Sequence, residues 1–161
     1  MEVVYTKDAP DAIGPYSQAI KANGMVFTSG QIAINPANGQ VEAKTIEEQT
    51  EQVMKNLGAV LKQAGSGFEK AIKTVCFLAD MNDFGKFNEI YGKYFTSKPA
   101  RSCVAVKTLP KNVLVEVECI ALTNYINVIL ILNMKFIKII FVVIINVNIS
   151  LKKNNLRLIK G

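Results

Sequence analysis

No histidine occurs anywhere in this chain of 161 residues. That absence excludes a Ser-His-Asp triad, an imidazole base and a conventional zinc site. Carboxylates, Tyr, Ser, Cys, Lys, Arg and backbone amides are left for any chemistry. Cysteine is scarce: Cys76, Cys103 and Cys119 are odd in number and sit inside apolar runs. This is the pattern of reduced thiols in a cytosolic protein rather than of a secreted disulfide framework. The opening stretch MEVVYTKDAPDAIG has the character of neither a signal peptide nor an arginine-rich transit sequence, so cytoplasm is the expected compartment.

Acidic residues are missing from one end only. All thirteen of them, and thirteen of the nineteen basic residues, lie in Met1–Leu122, which is therefore neutral. Lys135, Lys138, Lys152, Lys153, Arg157 and Lys160 carry the whole net charge of +6 in Thr123–Gly161. The basic balance thus describes a tail and provides no footprint for DNA or RNA on the domain. Nor are aromatic residues interleaved with lysines as RNA-stacking platforms.

The expected organisation is one domain over residues 1–122 and an Ile/Asn/Lys-rich tail over 123–161. Of the tail's 39 residues, 30 are Ile, Asn, Lys, Leu, Phe or Tyr, types encoded by A/T-rich codons. This composition favours read-through, intron or intergenic sequence over a membrane anchor. The longest charge-free run, Ile139 to Leu151, has thirteen residues, short of the roughly 20 that span a bilayer.

Half of the chain is apolar, enough for a proper core. MVFTSG (Met25 to Gly30) and QIAI (Gln31 to Ile34) read as short strands, with the NPANG loop following. Thr45 with Glu48 forms a capping-box signature. Val53, Met54, Leu57, Val60, Leu61 and Ala64 then recur at helical spacing until Gly65. AIKTVCFLAD (Ala71 to Asp80) has the continuous apolar run of a strand covered on both faces or at an interface. Asn82 is a candidate cap for a second helix with an aromatic stripe of Phe84, Phe87, Tyr91, Tyr94 and Phe95, read as core. Two further strands follow, and the order implies α+β, a sheet with helices on one face.

These last strands, in KPARSCVAVKTLPKNVLVEVECIAL (Lys98 to Leu122), read as a hairpin with Pro110 and Lys111 in the middle of the turn. That register sets Cys103 opposite Glu118 and Arg101 opposite Ile120, making Arg101 and Glu118 diagonal neighbours on one face. Arg101 is the only arginine of Met1–Leu122, against twelve lysines. A guanidinium fork grips a carboxylate with two parallel hydrogen bonds, which lysine cannot do. Two readings stand at this point: a structural ion pair with Glu118 or Glu116, or a clamp for an acidic ligand.

Four stretches, IGPYSQAI (Ile13 to Ile20), FTSGQIAINP (Phe27 to Pro36), DFGKFNEIYGKYF (Asp83 to Phe95) and PARSCVAV (Pro99 to Val106) with VEVECIAL, together resemble the Rid family of reactive-intermediate deaminases, the RidA or YjgF branch. The resemblance implies a chorismate-mutase-like α+β domain, a mixed sheet with two helices on one face, assembled as a homotrimer with ligand clefts between subunits. It implies hydrolysis of the 2-imino acids released as enamines by pyridoxal-phosphate enzymes, giving 2-oxo acids and ammonia without metal or cofactor. Carried over residue by residue, Arg101 would bind the substrate carboxylate, Glu118 would orient or activate water, and Tyr16 would assist. Cys103, through its amide, with Ser29, Gly30 and Asn88, would line the cleft. The alternatives are a non-catalytic ligand-binding regulator or a translation-inhibiting ribonuclease of the same family. Taken singly, Ser29 reads equally as turn chemistry, Asn88 as a solvent-facing helix residue and the Cys103 thiol as strand packing.

Overall fold

The computed structural model describes residues 1–123, and the readings of the tail lie outside the described residues. Six strands and two helices follow one another as β1 (Glu2–Val4), β2 (Ala19–Ala22), β3 (Met25–Thr28), α1 (Ile46–Gln63), β4 (Ala71–Leu78), α2 (Phe84–Tyr94), β5 (Ala100–Ala105) and β6 (Val115–Leu122). They form one mixed sheet in the order β1-β2-β3-β6-β4-β5, antiparallel throughout except for the β4–β5 pair. The α+β architecture with both helices on one face stands as the sequence implied.

Helix α1 begins where its side chains can satisfy its own orphan donors. Thr45 accepts from the Glu48 amide while the Glu48 carboxylate accepts from the Thr45 amide, so the capping box is complete. Val53, Met54, Leu57, Val60 and Leu61 are fully buried against Val26, Cys76, Val115, Val117 and Cys119 of the sheet. Each such burial stabilises by about 1.5–3 kcal/mol. Gly65 just beyond the helix takes φ +75, a conformation costly for any residue with a Cβ. The aromatic stripe of α2 is core as expected, with Phe87, Tyr91 and Phe95 buried and Tyr91 stacked on Phe95 at 4.5 Å. Its entry differs from expectation. Asp80, not Asn82, does the capping, accepting from the Asn82 amide in a 3₁₀ turn (Met81–Asp83) that leads into α2. The aspartate is two residues earlier because that extra turn precedes the helix.

Two further expectations are corrected. Gln31–Ile34 is not a strand, since only Gln31 bridges to β6, at Val117. The buried amide of Asn56, on α1, donates to the Ile32 and Ile34 carbonyls at 2.9 Å each, satisfying groups that a ladder would otherwise pair. The hairpin of the last two strands does not form either. β4 lies between β5 and β6, and the chain crosses from one to the other through a connection that contains a 3₁₀ turn at Pro110–Asn112. The β4–α2–β5 segment is a strand-helix-strand crossover, which delivers β5 parallel to β4 on its free side.

Among the described residues the opposite face of the sheet carries no helix. Phe27, Val104 and Leu122 on that side are 39 %, 47 % and 41 % exposed, alongside half-buried Ile20, Ile120 and Val75. Among the described residues β4 is therefore covered on one face only, which leaves the interface half of its apolar-run reading. No helix among the described residues is long and apolar enough to cross a membrane.

Candidate active site

Arg101 lies on the outermost strand, level with Thr74 of β4 and Cys119 of β6. Laterally paired residues share a face, so its side chain rises on the helix side, where Thr74 and Cys119 are buried. There α2 has prepared a seat. One guanidinium nitrogen donates to Asn88 Oδ1 at 2.7 Å, and the guanidinium carbon stands 4.7 Å from the Tyr91 ring centre and 5.5 Å from that of Phe84. The Tyr91 hydroxyl is tied to Thr74 Oγ1 at 2.8 Å, fixing the ring beneath the cation. No acidic side chain is paired with Arg101 among the described residues, which removes the reading of a structural ion pair within the chain. Among the described residues the exposed guanidinium uses one of its five N–H donors, and it lines a cavity of about 500 Å³ with Asn88, Tyr91 and Pro99.

Cys103 follows on the same side, level with Cys76. Burial pushes the Cys76 and Cys119 thiols up to about 12 and raises that of Cys103, so the neutral form is favoured and a thiolate nucleophile is not. Its amide is better placed. Val106 donates to Leu78, so alternation along a parallel pair directs the Cys103 N–H to the outer edge of the sheet.

The other expected residues gather elsewhere. Glu118 is level with Val75 and Ser102, hence on the helix-free side. It lines a cavity of about 420 Å³ with Tyr16, Ser29, Gly30 and Glu116. Gln18, 3 % exposed, folds the loop that brings Tyr16 there. Its Oε1 accepts from the Thr6 amide at 2.7 Å while Nε2 donates to the carbonyls of Thr6, Ala9 and Pro10. Ser29 donates from Oγ to the Ser17 carbonyl at 2.6 Å, joining the same loop to the end of β3. Tyr16 itself is 49 % exposed, with its hydroxyl accepting from the Ile13 amide at 3.3 Å.

Arg101 and Glu118 are thus not diagonal neighbours but stand on opposite faces of the sheet. The hairpin register fails because β4, not β6, is the partner of β5. Of the expected residues, Tyr16, Ser29, Gly30 and Glu118 converge in one cavity, Arg101 and Asn88 in another. Glu116 escaped the sequence reading as a site residue. Its signal was the spacing of two in VEVEC, which puts both carboxylates on one side of a strand. Among the described residues no group of three or more His, Cys, Asp or Glu converges as metal ligands.

A family model described as Endoribonuclease L-PSP matches residues 6–123. The chain belongs to this family, the Rid proteins its motifs resemble. Among Rid relatives, Reactive Intermediate Deaminase A, chloroplastic, of Arabidopsis thaliana is 51% identical over 74% of this chain and 65% of its own length. The 2-iminobutanoate/2-iminopropanoate deaminase of Mus musculus is 47% identical over 74% of this chain and 90% of its own. Escherichia coli TdcF, solved with bound serine, superposes with a TM-score of 0.73 at 39% identity, covering 77% of this chain and all of that one. Other Rid relatives carry descriptions as a regulator or as RutC family proteins, so membership alone does not fix one activity.

Proposed function

We propose that this Rid-family chain hydrolyses 2-imino acids such as 2-iminopropanoate and 2-iminobutanoate to 2-oxo acids and ammonia, at clefts completed by a second copy in a cytoplasmic homotrimer. The observation that carries the reading is the division of the site. A guanidinium free of any acid is seated on one face, and a cavity with Tyr16, Ser29, Gly30 and Glu118 opens on the other. Neither half suffices alone, and Arg101 of one copy against the Glu118 cavity of another would supply both. The helix-free apolar face is the surface on which such copies would meet.

The chemistry needs little more. An imino acid has an already electrophilic C=N carbon, so no strong nucleophile, metal or cofactor is called for. Arg101 would hold the carboxylate by charge-assisted, two-pronged hydrogen bonds. The Cys103 amide and Tyr16 would orient the substrate, and Glu118 would take a proton from the attacking water, a role worth about 10² to 10⁴ in rate. The supplying reaction is elimination from serine or threonine by a pyridoxal-phosphate dehydratase. Two relatives named as deaminases support the same reading.

The test is a coupled assay with such a dehydratase. Wild type should accelerate imine disappearance and ammonia release, and Arg101→Ala should not. Serine or 2-oxo acid binding without ammonia release would turn the reading to a ligand-binding regulator. RNA cleavage by highly purified protein would turn it to a ribonuclease.

A further inference from the structure

We propose, deepening the deaminase reading above and resting on it, that Lys98 is a second cation of the Arg101 cavity and that this chain favours 2-imino acids with a distal carboxylate, imino diacids of four or five carbons, over the short monoacids. Arg101 takes the carboxylate next to the C=N carbon, and Lys98 takes the far one.

The cavity is larger than a three-carbon imino acid fills. At about 500 Å³ it lies in the range that encloses drug-sized ligands. Arg101 and Lys98 both line it, three positions apart in the chain. Three extended residues span at most roughly 10 Å, so two such long side chains can reach one small dianion. Among the described residues no acidic side chain lines this cavity, and the exposed Lys98 ammonium has neither a hydrogen-bond nor an ion-pair partner. Like charges facing one space repel, and a dianion offsets both where a monoanion offsets one.

The backbone holds Lys98 there at a cost. Its φ is +53, in the left-handed region, although it carries a Cβ and precedes Pro99, a neighbour that disfavours helical dihedrals. Its amide donates to the Phe95 carbonyl at 3.1 Å, so the turn that leaves α2 fixes this conformation. Glycine or asparagine would sit there with less strain, so the backbone does not ask for lysine and the side chain is what the position retains.

Gly92 is the second anomaly of the same wall. It lies inside α2, where glycine weakens a helix, yet a Cβ added to it would meet nothing within 4 Å. Packing therefore does not require glycine. Because Gly92 lines the cavity, its missing side chain keeps that space open for a longer ligand.

The experiment uses the full chain with 2-iminoglutarate and 2-iminopropanoate, generated in situ from glutamate and alanine by a flavin amino-acid oxidase, and follows loss of each imine. Wild type should have kcat/KM about fivefold higher for the diacid, the size of one exposed ion pair. Lys98→Asn suits the backbone and should remove that advantage through KM, and added salt should narrow it in wild type. Gly92→Leu should melt no lower than wild type and still lower the ratio of diacid to monoacid turnover. Equal kcat/KM for the two imines in wild type, or a preference that Lys98→Asn leaves intact, would overturn the proposal. Titration separates it from the deaminase reading: 2-oxoglutarate should bind about fivefold tighter than pyruvate, and Lys98→Asn should equalise the two. If wild type consumes neither imine while this binding preference holds, the deaminase reading falls and the two-cation cavity stands. If the binding preference is missing, the proposal falls whatever the kinetics.

Discussion

The two faces of the sheet treat charge in opposite ways. On the helix side, Arg101 is held by Asn88 and by the edge of a packed aromatic stripe, so a rigid core element aims a single cation. On the open side, two glutamates share a cavity built by the β1–β2 loop and the end of β3, and no cation lines it. The aromatic cluster serves two ends at once, since Tyr91 is 7 % exposed yet forms the floor beneath the guanidinium. The sheet acts as a partition between complementary charges, keeping Arg101 and the two carboxylates apart.

Breaking the cationic side should have the largest effect. Arg101→Ala is expected to lower kcat/KM on 2-iminopropanoate about 10³-fold, as for removal of one member of a desolvated charge pair. Its exposed side chain makes a single hydrogen bond, so the thermal midpoint should hardly move. Arg101→Lys should stay far below wild type, because the charge remains and the fork is lost. Steady-state kinetics beside a melting curve checks both. On the acidic side, Glu118→Gln should slow turnover about 10²-fold while titration with a 2-oxo acid shows binding retained.

Mixing the two defects sharpens the comparison. If the halves of a site come from different copies, Arg101→Ala and Glu118→Gln subunits refolded together in equal amounts should regain about a quarter of wild-type activity, since random assembly of a cyclic oligomer unites two intact halves at that frequency. Activity no higher than that of either variant alone would place both halves within one copy. The smallest effect should come from Tyr91→Phe. It removes the bond to Thr74 Oγ1 and costs about 1 kcal/mol of stability in a denaturant titration, yet leaves a ring under the guanidinium and activity near wild type.

What was legible in the sequence was local. The Thr45–Glu48 capping box, the buried stripe of α1 and the aromatic stripe of α2 follow from residues three or four apart on one helix. The motifs named Tyr16, Ser29, Gly30, Glu118, Arg101 and Asn88 as candidates, and the fold brings the first four to one cavity and joins the last two by a hydrogen bond. The QIAI strand was misread because Asn56, more than twenty residues away, supplies the hydrogen bonds that pattern alone would assign to a neighbouring strand. Asn82 was misread as a cap because a 3₁₀ turn shifts the capping role to Asp80.

The sequence by itself determined the composition of the site: one arginine in a neutral, histidine-free domain, two glutamates in alternation, and the helices that must bury their apolar faces. Only the tertiary structure decided which face each charge occupies. Strand order depends on contacts between distant segments, and inserting β4 between β5 and β6 replaces the hairpin register with two others. Because side chains alternate along a strand, that one change of neighbour carried Arg101 and Glu118 to opposite sides.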